Sequence, residues 1–244
     1  MTGPIIEARN LTKLFGRGHA QVRALRSVSL SLAGGKLTLL MGPSGSGKTT
    51  LLSILGCMLS PDAGEVRVCG ISAKKAGPEQ LAKIRRSYIG FVFQSYHLFP
   101  TLTAAENVQL ALDVRGERGR KARAKSRKLL ARVGLQQKFA AFPRELSGGE
   151  QQRVAIARAI VANPSVILAD EPTAALDGSN GRAIMTLLTE IAREQKSAVL
   201  VVTHDSRVMP FADRIIYIED GSLADEETGS ARVYPIRKSA SGRF

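Results

Sequence analysis

Residues 37–58 read LTLLMGPSGSGKTTLLSILGCM. Residues 37–41 are a short apolar run suited to a buried strand. Gly42 to Thr49 fit the pattern GxxxxGK[ST], and an apolar helix is expected over 48–58. Strand, glycine-rich turn and helix, in that order, describe a loop that holds phosphate. Gly42, Gly45 and Gly47 let the backbone turn tightly and bring bare N–H groups to phosphate oxygens. Pro43, Ser44, Ser46 and Thr50 complete the candidate binding stretch. The helix N-terminus adds partial positive charge. Lys48 supplies a mobile cation for the β- and γ-phosphates of a nucleotide, and the Thr49 hydroxyl is a ligand suited to Mg²⁺.

A second segment fits that chemistry. Residues 166–171 read VILADE, an apolar run ending in two carboxylates. A strand buried on both faces reads this way, and ligands bind at the carboxyl ends of such strands. Asp170 is expected to hold Mg²⁺. Glu171 is placed to orient and activate an attacking water. Gln94 ends the run IGFVF and offers an amide oxygen to the metal. Ser147, Gly148 and Gly149 stand before a long apolar helix, where hydroxyl, backbone N–H groups and dipole converge as an anion site or as a plain N-cap. His204 follows the apolar strand AVLVV and Thr203, close to the other phosphate elements, and is assigned to the γ-phosphate.

With these motifs in place the chain resembles the ATP-binding cassette (ABC) ATPase family, from residue 5 to about 225. GPSGSGKT resembles its Walker A loop, Gln94 in FVFQSYHLFP its Q-loop glutamine, and LSGGEQQR at 146–153 its signature motif. VILADEPT resembles Walker B with the catalytic glutamate, AALD at 174–177 the D-loop, and His204 in VVTHD the switch histidine. Phe15 stands where the family places an aromatic ring against adenine. The resemblance implies ATP and Mg²⁺ as cofactors, Glu171 and His204 as catalytic residues, and Thr49, Gln94 and Asp170 around the metal. It also implies a homodimer in which Ser147 to Gly149 bind the γ-phosphate held by the other subunit, with Asp177 at the seam. Ala174 and Ala175 depart from the family, where a serine is common.

The implied fold is α/β: a P-loop NTPase core with a mostly parallel sheet, an antiparallel β subdomain and an inserted α-helical subdomain. Strands are expected at 5–10, 22–32, 37–41, 65–68, 88–93, 165–170, 198–202 and 214–220. Helices are expected at 48–58, 78–86, 104–114, 120–133, 148–162, 179–194 and 207–212. The alternation argues a parallel sheet. Residues 1–229 form the ABC domain, with 95–163 read as an almost wholly helical insertion, and 230–244 form a basic polar tail.

Composition narrows the class. At 44% hydrophobic, the 244 residues suffice for a sizeable core. No stretch approaches 18 uninterrupted apolar residues, so no membrane span is expected. MTGPIIEARN lacks a long apolar run, so no secretory leader is expected. Cys57 and Cys69 give neither a metal cluster nor a disulfide framework. The net charge of +14 is uneven, because RGERGRKARAKSRK at 115–128 carries eight basic residues against one acid. Such a run is a solvated helix face or a surface drawn to anionic lipid. Nucleic acid is disfavoured, since no aromatic interleaves the basic residues.

The expected function is the ATPase subunit of a membrane complex, working at the cytoplasmic face of the inner membrane through a separately encoded permease. Tyr96, Leu98, Phe99 and Leu102, after Gln94, would dock that partner. The finer likeness is to the lipoprotein-releasing and macrolide-exporter type. An importer, a cell-envelope remodelling ATPase and a soluble clamp on DNA or ribosomes are the alternatives. The last normally has coiled-coil arms or two cassettes, and this chain has neither.

Overall fold

The computed structural model describes residues 3–228, apart from the side chains of His19 and of 225–228. The basic tail expected at 230–244 lies outside the described residues. The core is a six-stranded sheet of order β10-β9-β3-β8-β7-β6. Its strands are β3 (Leu37–Met41), β6 (Ile89–Val92), β7 (Val166–Asp170), β8 (Ala198–Val202), β9 (Arg214–Glu219) and β10 (Ser222–Thr228). β6, β7, β8, β3 and β9 run parallel, and β10 returns antiparallel along β9.

The central strands are apolar throughout because both faces are covered. Their side chains alternate between two cores with the two-residue period of a strand. Leu39, Ile167, Ala169, Val199 and Val201 face one core, which α3 (Ala104–Asp113), α4 (Gly119–Arg132), α5 (Gly148–Ile160) and α6 (Gly178–Gln195) cover. Leu40, Val166, Leu168, Leu200 and Val202 face the other, shared with α1 (Lys48–Leu55) and an antiparallel sheet. That sheet has the order β2-β1-β4-β5, from β1 (Ile6–Phe15), β2 (Val22–Leu32), β4 (Ala63–Val68) and β5 (Ile71–Ser72). The three layers are those of an α/β phosphate-loop NTPase with an antiparallel sheet beside it.

Several boundaries differ from expectation for identifiable reasons. α1 stops at Leu55 rather than 58. Gly56 packs so closely under Phe91 that a Cβ there would lie 2.2 Å from its ring, and Cys57 then turns left-handed at φ 55°. β1 continues to Phe15, but register shifts along it break the alternation a sequence reading relies on. The segment 207–212 is a 3-10 turn over Ser206–Phe211, because Pro210 has no N–H for an α-helix. Residues 95–163 are not almost wholly helical. α3, α4 and α5 are separated by non-α stretches at 114–118 and 133–147, the second holding a 3-10 turn over Pro143–Glu145, and 93–103 is irregular too. β5 and β10 went unforeseen. The first is two residues long, and the second is an acid-rich edge strand entered through the hairpin signal Asp220-Gly221.

Candidate functional site: the carboxyl edge of the parallel sheet

The sheet register assembles the site. Leu40 pairs with Val202, Val202 with Asp170, and Val92 with Ala169, so four parallel strands end together. The phosphate loop, Glu171, His204 and Gln94 leave from those ends, as the topology of open α/β sheets leads one to expect. Two crossing bonds lock the edge: Glu171 N–H donates to the Val202 carbonyl at 2.9 Å, and Thr203 N–H to that of Leu40 at 3.2 Å.

The loop between β3 and α1 is shaped around its glycines. A Cβ on Gly42 would fall 2.1 Å from the Ile218 carbonyl oxygen. Gly47, at φ 102°, presses against the Ala24 carbonyl of β2, where a Cβ would sit at 2.5 Å. Both positions therefore exclude any side chain. The Lys48 ammonium folds back across the loop and donates to the carbonyls of Gly42 (2.8 Å) and Pro43 (2.6 Å). The buried Ser46 hydroxyl has no hydrogen-bond partner. An orphaned donor, a cation resting on carbonyls and a helix N-terminus in one turn fit a bound phosphate chain.

Thr49 and Asp170 meet, with the hydroxyl donating to a carboxylate oxygen at 3.3 Å. Burial pushes the Asp170 carboxyl above its ordinary range, the Thr49 bond and Lys48 oppose this, and Glu171 adds to it. A hydroxyl and a carboxylate are hard oxygen donors, and so few of them suit Mg²⁺, which keeps its remaining positions for water and phosphate. Among the described residues no cluster of three His, Cys, Asp or Glu could hold a metal by itself.

Glu171 sits in the left-handed region at φ 48°, an uncommon position for a residue with a side chain. Its Oε1 lies 2.6 Å from His204 Nδ1 and accepts the His204 backbone N–H at 3.2 Å. Its Oε2 accepts the Thr203 hydroxyl at 2.9 Å. The acid is thus aimed by two consecutive residues of one strand end. Thr203, almost fully buried, was not among the expected site residues; a buried threonine between an apolar strand and a histidine was the available signal.

Ser147 caps α5. Its hydroxyl accepts the Glu150 N–H at 3.2 Å, and Glu150 returns a bond to the Ser147 N–H at 2.8 Å. That bond is the largest influence holding the Glu150 carboxyl below its ordinary range. The N-cap and the anion-site readings of this serine are therefore compatible. A Cβ on Gly148 would meet the Tyr96 ring and hydroxyl, and one on Gly149 would meet Leu176, Ala175 and Arg153. Asp177 caps α6, accepting the N–H groups of Ser179 (3.0 Å) and Asn180 (2.8 Å), which helps hold its carboxyl at about 2. Phe15 is exposed at the end of β1 and pairs with Val22, two residues along β2 from the Ala24 carbonyl that abuts Gly47.

Gln94 is exposed just beyond β6, and the chain after it is tied to α5. Arg158 donates to the carbonyls of Tyr96 (2.7 Å) and His97 (2.5 Å), both left-handed residues. A lone arginine in the apolar run VAIARAIVA was the sign that sequence reading missed. Beside it lies a concavity of about 550 Å³ that shares no residue with the phosphate loop. Phe91, Phe93 and Phe99 line it, with Arg85, Arg115 and Arg158 among its charges.

Comparison with known proteins agrees with this geometry. The ABC transporter family model matches residues 25–174. An uncharacterized ABC transporter ATP-binding protein of Methanocaldococcus jannaschii, MJ0796, is 46% identical, covering 91% of this chain and 97% of the relative. The lipoprotein-releasing system ATP-binding protein LolD of Bordetella pertussis is 43% identical, over 91% and 96%. The macrolide export ATP-binding/permease protein MacB of Rhodopseudomonas palustris is 43% identical over 94% of this chain, which spans only 35% of that relative. A dimeric post-hydrolysis structure of MJ0796 bound to ADP and Pi superposes with a TM-score of 0.86 at 44% identity, covering 91% of this chain and 98% of that one. The chain belongs to the ABC transporter family, as an ATP-binding, ATP-hydrolysing subunit.

Proposed function

We propose that this chain powers a separately encoded membrane permease of the exporter or lipoprotein-release type from the cytoplasmic face of the membrane. Likeness to LolD, the ATP-binding protein of a lipoprotein-releasing system, and to the macrolide export ATP-binding/permease protein MacB supports an exporter or lipoprotein-release role. No helix among the described residues is long and apolar enough to cross a membrane. The observation that carries the reading is the meeting of Lys48, Thr49, Asp170, Glu171 and His204 at one sheet edge.

Two chains then close head to tail. The Lys48 ammonium leaves its two carbonyls for the β- and γ-phosphates of ATP, and the glycine-loop N–H groups cradle them. The partner's signature motif supplies a hydroxyl and a helix N-terminus to the γ-phosphate. Thr49 and Asp170, with Gln94, would hold Mg²⁺, which would supply positive charge against that of the phosphates. Glu171 orients the attacking water and takes its proton, and His204 hydrogen-bonds the γ-phosphate. Phe15 stacks on adenine and Asp177 lies at the seam. The apolar groove beside Phe91, Phe93 and Phe99 receives a cytoplasmic segment of the permease, and Arg158 links that segment to the signature helix.

The test is capture of tagged Glu171→Gln protein from native membranes with Mg-ATP. A co-purifying permease with a large extracytoplasmic domain supports the reading. An importer-type permease reverses the direction of transport, and ribosomes or nucleic acid without a membrane protein overturn it.

A further inference from the structure

α4 is strongly basic, with no acid in its sequence, and none of its residues belongs to the proposed catalytic machinery. Ala122, Ser126 and Leu130, spaced four apart, turn inward. On the outward side Lys121, Lys125, Lys128 and Arg132 form one row, and Arg120, Arg123 and Arg127 another. The exposed Ala124 and Ala131 lie between the rows, so the face is flat as well as cationic. Some of these charges are answered within the chain. Lys125 pairs with Glu117, Arg132 with Glu190 and Glu194, and Arg127 lies over the Phe139 ring. Arg118, Arg120, Lys121 and Lys128 are exposed and make no ion pair among the described residues. Like charges at this spacing repel one another, and a polyanionic surface would relieve that repulsion.

The place of the face in the fold says which polyanion. α3 ends at the groove: Val114, more than half exposed, and Arg115 both line it. Only residues 116–118 separate them from α4, so the basic helix starts at the groove rim. Arg85 and Arg86, in the last turn of α2 (Pro78–Tyr88), line the groove as well. If the groove receives a membrane permease, its rim faces the bilayer. We propose that the outward face of α4 rests on anionic lipid headgroups next to the permease, anchored by Arg118, Arg120, Lys121 and Lys128. This inference rests on the permease reading above. Nucleic acid is the less apt polyanion, because no aromatic side chain on this face offers bases a stacking surface.

The experiment is flotation of the full chain with phosphatidylcholine vesicles, with and without phosphatidylglycerol. Binding is expected only with phosphatidylglycerol, and it should weaken as salt screens the contact. Replacing Arg118, Arg120, Lys121 and Lys128 with Gln should weaken it by about fivefold per cation, roughly several hundredfold together. All four are exposed, so the fold is retained. A second variant, with Arg232, Arg237, Lys238 and Arg243 changed to Gln, separates the tail and should float like the parent. Indifference to phosphatidylglycerol overturns the proposal. So does loss of binding in the tail variant alone, or a four-Gln α4 variant that floats unchanged. An α4 face that retains duplex DNA but no vesicles makes it a nucleic-acid surface instead. The vesicles contain no permease, so failure here leaves the membrane-capture result standing, and failed capture leaves this one standing.

Discussion

Glu171→Gln separates the chemistry of the site from its architecture. The substitution keeps the number of heavy atoms. The amide oxygen can take the place of Oε1, still accepting the His204 backbone N–H and facing Nδ1. The amide nitrogen then faces the Thr203 hydroxyl, which already accepts the Asp205 N–H at 3.1 Å and has a second lone pair to offer. Each bond keeps a donor and an acceptor, so the change in stability should stay below about 1 kcal/mol. For a chain this long that is at most about 2–4 °C in Tm. What disappears is a group able to accept the proton of water, worth about 10²–10⁴ in rate. At about 1.4 kcal/mol per tenfold, the barrier rises by roughly 3–5 kcal/mol. Phosphate release measures turnover, size exclusion with Mg-ATP measures dimer, and thermal unfolding controls for folding. The expected result is unchanged ATP affinity, an accumulating ATP-bound dimer and turnover down a hundredfold or more. A loss of turnover under tenfold with an unchanged Tm refutes the assignment of Glu171 as base. Loss of ATP binding refutes it equally, by making the carboxylate a binding group.

Lys48→Ala removes one charge-assisted phosphate contact, worth about 1.5–3 kcal/mol, and should weaken ATP binding by roughly ten- to a hundredfold; titration with a fluorescent nucleotide checks this. Asp170 has its carboxyl raised in the folded state, so native protein binds that proton more tightly than unfolded protein does, and stability falls as pH rises from the unfolded value through the folded one. At neutral pH Asp170→Asn should therefore raise Tm without nucleotide, at about 2–4 °C per kcal/mol, while abolishing the extra protection Mg²⁺ gives with ATP; a lower Tm contradicts the sign. Arg158→Gln breaks both carbonyl bonds to residues 96 and 97 and should speed amide exchange over 95–99 and lower Tm by roughly 4–10 °C. Arg158→Lys should recover only part of this, since an ammonium lacks the fork of a guanidinium.

The central strands were legible because burial on both faces writes itself as an uninterrupted apolar run. β2, β3 and β8 fall at the residues expected. The candidate site was legible as a place in the fold because its groups sit at strand ends, where a polar residue after such a run is conspicuous. Asp170, Glu171 and His204 converge through parallel register, a long-range property that sequence order suggests but does not measure. Edge strands and bulged strands were harder: β10 buries too little to show a period, and β1 changes register along its length. The second duties of site residues were also hidden. Nothing in AALD announces that Asp177 is bound to four donors at the head of α6. The Arg158 clamp joins residues 61 and 62 positions apart, beyond any local pattern.

The reciprocal cap at Ser147 and Glu150 has a kinetic consequence. The serine accepts one N–H through a lone pair, which leaves its own proton free to point outward. The turn proposed to meet a partner's phosphate is thus folded in the single chain, and on that reading closure of two chains orders little new backbone there. Association then carries mainly the entropy of bringing two rigid bodies together. Its rate is set by encounter and by the charge of the incoming triphosphate, and the lifetime of the closed pair is set by how long that triphosphate survives.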